Sequence, residues 1–318
     1  MSNIHIIEDE EGNLLPQTPA QALQDTLIAQ RPVYTAESGL QYPEILPPDD
    51  DSHVGLDLTN TVLELYITDV AKLPPQEFTM SRRNGFGGSD SGVLLGVSPY
   101  DTIEELIKQK ASKTLSAEEI ATSEQVAVIK GNDLEPVATK KFENFFQMKT
   151  VKPTDMYTFI GYEYLKMNFD GVTGTPAQYL PVEVKIVTRR GEKHYDPFKT
   201  LFTEREGFKA IPPDYASNPV NSIVTKASQY GIPPYYYTQL QMQMMALKAP
   251  YGYLCTLWEY DWKLHVYFVH KDERVWNELK IAGWKAWQQV EALKEKNNAV
   301  QRISIISPEN EQPQPFEY

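Results

Sequence analysis

Apolar and polar positions fall into a regular pattern only from about Ser81 onward. Residues 1–54 are rich in Pro, Gln and acids, as in 40-LQYPEILPPDDDSH-53. Such a composition buries too little apolar surface to offset the entropy lost on ordering. Residues 1–80 therefore read as an acidic extension, largely disordered or loosely packed. Within it, the Leu, Val and Ile of 55–72 form an element that packs on the core. Downstream, 98-SPYDTIEELIKQK-110 predicts a helix with Asp101 or Thr102 as N-cap, acids in its first turn and lysines at its end. A second helix is predicted over 132–148, where Leu134, Val137, Ala138, Phe142 and Phe145 approach helical spacing. Strands follow over 157–172 and 180–187, then a loop-rich insertion over 188–233 punctuated by Gly, Pro and Asp. A helix over 235–248, a hairpin of 252–260 with 263–272, a helix over 273–296 and a polar tail over 301–318 complete the chain. This order predicts an α/β (α+β) fold, a mixed central β-sheet flanked by helices, occupying 81–300. The sequence contains no internal repeat.

Composition narrows the function classes. The 318 residues suffice for one good core plus an extension. A single cysteine, Cys255, excludes a disulfide framework and a cysteine-rich metal cluster; its apolar surroundings predict a buried thiol. No apolar run approaches the ~20 residues needed to cross a bilayer. The N-terminus has no basic-then-apolar signal pattern, so the expected location is the cytoplasm. The net charge of −13 looks hostile to nucleic acid until its distribution is counted. Residues 1–80 hold 14 acids and two bases, Arg31 and Lys72, whereas the remainder holds 29 acids and 28 bases. A nearly neutral domain can carry a basic groove, so DNA stays open as a substrate.

Candidate chemistry concentrates around 180-LPVEVKIV-187. Residues two apart on a strand share a face, which puts Glu183 beside Lys185 while Val182, Val184 and Ile186 face the core. That pair is either a solvated face or part of a catalytic centre. Asp170, in 168-NFDGVTG-174, bears on the choice, because a hairpin of the two strands brings it next to Glu183. Two carboxylates so close repel unless a cation neutralises them, and hard oxygen ligands suit Mg²⁺ or Mn²⁺. Lys185 could then hold an attacking water and offset phosphate charge. Glu135 can supply a third carboxylate from its helix. In 237-YTQLQMQMM-245, Gln239 and Gln243 share one helical face and Gln241 lies on another. Tyr235, Tyr236 and Tyr237 either line a DNA groove or pack. Trp276, Trp284 and Trp287 read as core. His194, His265 and His270 show no metal-ligand spacing.

Taken together, Glu135…Asp170…Glu183-x-Lys185 looks like the PD-(D/E)xK nuclease signature. The chain resembles the YqaJ-like viral recombinase family, relatives of phage lambda exonuclease, through five blocks in order: 82-RRNGFGGSDSGVLLGVSPY-100, 131-GNDLEP-136, 168-NFDGV-172, 182-VEVK-185 and 233-PPYYYTQLQMQM-244. The resemblance implies a restriction-endonuclease-like core. It also implies that Asp170, Glu183 and the Val184 carbonyl ligate Mg²⁺, with Mn²⁺ as a substitute, and that Glu135 supports a second metal position. Lys185 and Gln239 would serve the nucleophilic water. Ser89, Asn168 and either Arg82 or Arg83 would grip a phosphate, and Gln241 and Tyr237 would touch DNA. The implied activity is 5′-to-3′ exonucleolytic degradation of double-stranded DNA ends in a phage-type recombination system, inside a bacterial host. A single-strand annealing protein would take the remaining 3′ strand, and a trimeric ring is the implied homo-oligomer. Two departures from the family pattern are the long extension over 1–80 and the long insertion over 188–233. The rival readings are a structure- or sequence-specific endonuclease with the same metal centre and a non-catalytic module that binds DNA ends or a partner.

Overall fold

The computed structural model describes residues 75–115, 126–175, 177–188, 191–209 and 222–306. Of the first 74 residues it describes only 7–8, 14–15, 33–36, 39, 41–43 and 65–69. The expectations for residues 1–54, for 210–221 and for 307–318 thus fall largely outside the described residues.

Elements are named in chain order from the strand Leu65–Asp69 (β1). The helix Pro75–Ser81 (α1) is followed, after a loop, by the short helix Ser91–Leu94 (α2). Ile103–Ala111 (α3) starts at Thr102, whose hydroxyl accepts from the Glu105 N–H while Glu105 accepts from the Thr102 N–H. This reciprocal cap selects Thr102 over Asp101. The long helix Val126–Phe146 (α4) runs through Pro136, so one ladder N–H is missing directly after Glu135. Its buried face, Leu134, Val137, Ala138 and Phe142, has no exposed surface. Phe145 departs from the expected stripe, being 37% exposed, with its ring against Phe202.

Thr150–Val151 (β2), Asp155–Phe159 (β3), Lys166–Met167 (β4) and Gly171–Thr175 (β5) come next. The predicted strand over 157–172 is therefore broken into three pieces. The turn at 160–164 reverses the chain through Gly161, whose φ of +79° suits glycine. The pieces also serve two sheets: β3 pairs with β1 and β4, whereas β5 joins the main sheet. Gln178–Val187 (β6) is the strand on which the site is built. The insertion is not purely loop. It provides Phe202–Thr203 (β7), Gly207–Phe208 (β8) and the helix Ile223–Tyr230 (α5). Pro234–Ala246 (α6), Tyr251–Trp258 (β9), Lys263–His270 (β10) and Glu273–Ile306 (α7) complete the fold. The last helix runs ten residues beyond its expected end at 296.

The main sheet has seven strands in the order β8-β7-β10-β9-β6-β5-β2. Only the β6–β9 pair is parallel; the other pairs are antiparallel. It is the mixed, helix-flanked sheet the sequence predicts. Alternation along β6 and β9 divides its two faces. Val184 and Cys255 lie opposite one another, and the Cys255 thiol points at the Ala138 carbonyl of α4. Glu183 and Leu254 point the other way, where α6 covers them. On α7, Trp276 is buried and Trp287 packs edge-on against Phe86, while Trp284 is half-exposed over Tyr164 rather than core.

Candidate active site

The antiparallel register of β5 with β6 pairs Gly171 with Val182. One step further along that register sets Asp170 opposite Glu183. Asp170 has left the strand, and its Oδ2 accepts the Val184 N–H at 3.0 Å and the Lys185 Nζ at 3.3 Å. Lys185 also forms an ion pair with Glu183 Oε1. Glu183 has no exposed surface and is held on both oxygens by α6: Gln239 Nε2 donates to Oε1 and Gln243 Nε2 to Oε2, each at 2.5 Å. The i,i+4 spacing of the two glutamines thus becomes a clamp on one carboxylate.

The electrostatics follow from burial and from this crowding. Burial, then the Asp170 charge, push the Glu183 carboxyl up to about 8, against the pull of Lys185 and Gln243. Burial also acts upward on Asp170, but Lys185 and the Val184 N–H outweigh it and hold that carboxyl below its ordinary value. Lys185 is desolvated, yet the two carboxylates more than compensate and raise its pKa. The ammonium is thus fixed as a cation. Glu135 is raised by burial and by Asp170, and its carboxylate is taken by Lys152 at 2.5 Å. Lys152 is not legible in the sequence, because 149-KTVKP-153 carries no pattern that points at the site.

Both carboxyl groups around this single ammonium can be ionised together only if a further positive charge joins them, and their donors are hard oxygens. That is the chemistry of a divalent-cation site, and Asp170 with Glu183 fits it. Among the described residues, no group of three His, Cys, Asp or Glu side chains is gathered closely enough to hold an ion by itself. Glu135 is near enough to feel the Asp170 charge, but its carboxylate is paired with Lys152.

Beside this centre stands the loop 85-GFGGSD-90. Asp90 pins it by accepting from the Gly87 N–H at 2.7 Å and from Lys110 at 2.7 Å. Ser91 ties it to α6 through Thr238 at 3.0 Å. A side chain at Gly88 would meet the Gln239 Cγ at 3.3 Å, so the loop abuts the glutamine clamp. Arg82 donates to the exposed Ser89 hydroxyl at 2.7 Å, placing both together on this loop. Arg83 is instead buried, donating to the carbonyls of Ser112 and Thr114. Of the two arginines, Arg82 is the one available to a phosphate. Asn168 is half-buried and donates to the Asp155 carbonyl at 3.0 Å.

Two expected DNA contacts lie elsewhere. Gln241 has no exposed surface; it donates to the His270 carbonyl and accepts from the Asp272 N–H, stitching α6 to the end of β10. Tyr237 is also fully buried, stacked on Tyr230 with its hydroxyl toward Asp272. Both sit on the face of α6 away from the Glu183 clamp, as the helical period requires. Tyr236 faces the site, its ring 5.4 Å from Lys185 Nζ.

The model of the YqaJ-like viral recombinase domain matches residues 77–248. No curated protein matches the chain. Among solved structures, the alkaline exonuclease LHK-Exo from Laribacter hongkongensis is similar over 71% of this chain and 98% of its own, at 13% identity and a TM-score of 0.48. Its complex with dAMP covers 70% of this chain and 98% of its own, at 14% identity and 0.46. A phage related exonuclease from Haemophilus somnus 129PT covers 67% and 96%, at 13% identity and 0.40.

Proposed function

Because the chain belongs to the YqaJ-like viral recombinase family, we propose that it is a metal-dependent exonuclease acting on the ends of double-stranded DNA. The observation that carries this reading is the convergence of the Asp170 and Glu183 carboxylates on Lys185, at the junction of β5 and β6. In this reading Asp170, Glu183, the Val184 carbonyl and Glu135 would hold Mg²⁺ or Mn²⁺. When bound, such an ion acidifies a water and offsets charge on the scissile phosphate.

The rest of the work belongs to the side chains. Lys185, held cationic by its two neighbours, steadies the attacking oxygen and takes up charge developing on the phosphate. Gln239 and Gln243 fix the Glu183 carboxylate so that its lone pairs point into the centre. Arg82 and Ser89 grip a terminal 5′-phosphate, Arg82 as a planar, permanently charged donor. Digestion proceeds 5′ to 3′ and releases 5′-phosphorylated products. It leaves a 3′ single strand for an annealing protein, with the enzyme assembled as a trimeric ring in the cytoplasm of a bacterial host. No helix among the described residues is long and apolar enough to cross a membrane.

End-labelled linear duplexes with 5′-phosphate or 5′-hydroxyl ends, compared with nicked and covalently closed circles, test the reading. Degradation confined to linear DNA and favoured by 5′-phosphate is expected, and cutting of closed circles would replace it with an endonuclease. Glu183→Ala should lower the rate by at least about 10²-fold, since loss of even a supporting partner of a metal ligand costs 10–100-fold. Unchanged cleavage by that variant would remove the proposed centre.

A further inference from the structure

A continuous series of tyrosine rings leads from Lys185 to the surface, and the mechanism above does not use it. Tyr236 lies 5.4 Å below the Lys185 ammonium. Tyr235 meets Tyr236 with ring centroids 4.4 Å apart, and Tyr100 meets Tyr235 at 5.5 Å in an edge-to-face arrangement. The Tyr100 and Tyr235 hydroxyls are 3.3 Å apart. From the other side Tyr195, carried by the insertion, stacks on Tyr236 at 6.4 Å. Tyr235, Tyr236 and Tyr195 are half-buried, and Tyr100 is 70% exposed.

These rings are held by the fold. Pro234 starts α6, and the Tyr236 N–H bonds back to the Pro233 carbonyl. The Tyr235 carbonyl accepts from Thr238, and Gly92 packs so tightly on the Tyr235 Cβ that a methyl group there would clash. A single exposed tyrosine needs no explanation. A pinned row of aromatic faces that begins at a catalytic ammonium and ends in solvent is the arrangement on which bases of a single strand stack.

We propose that Tyr100 and Tyr235, leading inward to Tyr236 beside Lys185, form a stacking platform for the nucleobases of the DNA strand that enters the metal centre. The inference rests on the nuclease reading for its location and adds to it a path for the single strand. Stacking on aromatic side chains is sequence-tolerant, which suits an enzyme that must digest whatever sequence arrives.

The test uses the full chain without divalent metal and a 5′-phosphorylated single-stranded oligonucleotide carrying 2-aminopurine near its 5′ end. Quenching of the base on binding is expected for the parent. Tyr100→Leu should lose much of the quench and weaken affinity by about 5- to 150-fold, the range for one lost base–aromatic stack. Tyr100→Phe, which keeps the ring and loses only the hydroxyl, should behave as the parent. Equal quench and affinity in parent and Tyr100→Leu would overturn the platform, and so would an equal loss in the Leu and Phe variants. Cleavage of linear duplex in Mg²⁺ is scored separately. A parent that cleaves while Tyr100→Leu binds normally sinks the platform alone. A parent that quenches without cleaving sinks the nuclease reading and leaves the platform standing.

Discussion

Glu183 is the residue on which the site turns, and its environment is unusual for a carboxylate. It has no exposed surface, yet it faces Asp170 across the hairpin. Three donors, Gln239, Gln243 and Lys185, make that placement tolerable. Gln243 is the one whose role can be isolated, because it is 1% exposed and its Nε2 serves Glu183 Oε2. Its own Oε1 has no hydrogen-bond partner among the described residues, so the side chain is kept there for the donor end. Gln243→Leu would fit the apolar helix face but leave a buried carboxylate oxygen unpaired, a loss of about 1–3 kcal/mol. Denaturant unfolding of the metal-free protein measures it, and unchanged stability would show that Glu183 does not depend on this clamp. Strand alternation makes Glu183, Lys185 and Asp170 legible in the sequence. The role of Gln243 was not, because an i,i+4 spacing defines a shared face without saying which group across the interface it meets. The same limit explains Gln241 and Tyr237, for which the family resemblance implies DNA contact while the helix turns both inward.

At the scale of elements, long periodic segments were readable and short ones were not. The capped helix α3, the pair β9–β10 and the strand β6 follow from period and caps. The strand β7 and the edge strand β8 are two residues each, too short to show a period inside a stretch that reads as loop. The docking of β7 onto β10 nonetheless creates a buried imidazole. His265 lies opposite Thr203 of β7, stacked on Trp258 at 4.2 Å, with neither ring nitrogen hydrogen-bonded among the described residues. Burial depresses its pKa below 6.5; Asp261 and Glu204 pull upward and Lys209 and Lys263 downward without reversing the sign. The unfolded chain therefore takes up a proton below about pH 6.5 while the native state stays neutral, so this group costs stability as pH falls through that range. One proton sets a ceiling of about 1.4 kcal/mol per pH unit. His265→Phe keeps the stacked ring and removes the titration. Urea unfolding at pH 7.5 and 5.5 should show a smaller loss in the variant, and identical pH slopes would clear His265 of any part.

Across the whole molecule, charge is divided rather than spread, and that division bears on how a protein of net charge −13 meets a polyanion. Residues 1–60 contain eleven acids and one base, whereas the chain from Ser81 onward is almost neutral and carries Arg82 and Lys185 at the site. Tethered negative charge competes with phosphate for the same cationic groups and repels DNA that is not end-bound. Its reach is limited to about 10 Å at 0.1 M salt, so the effect must fade as salt is raised. The strand β1 marks where a cut can be made, because Leu65–Asp69 pairs along its whole length with β3 and supports the small sheet. Removing residues 1–60 leaves that pairing intact while lifting a net charge of −10. The shortened chain should bind closed circular duplex, which offers no ends, more tightly than the full chain at 50 mM salt. At 200 mM salt the two should converge, because the excess affinity is electrostatic. Fluorescence anisotropy without divalent metal measures both conditions. Equal affinity at 50 mM salt would mean that the acidic segment does not screen the DNA-facing surface, and an advantage that persists undiminished at 200 mM would mean that it acts by occupying the surface sterically rather than by charge.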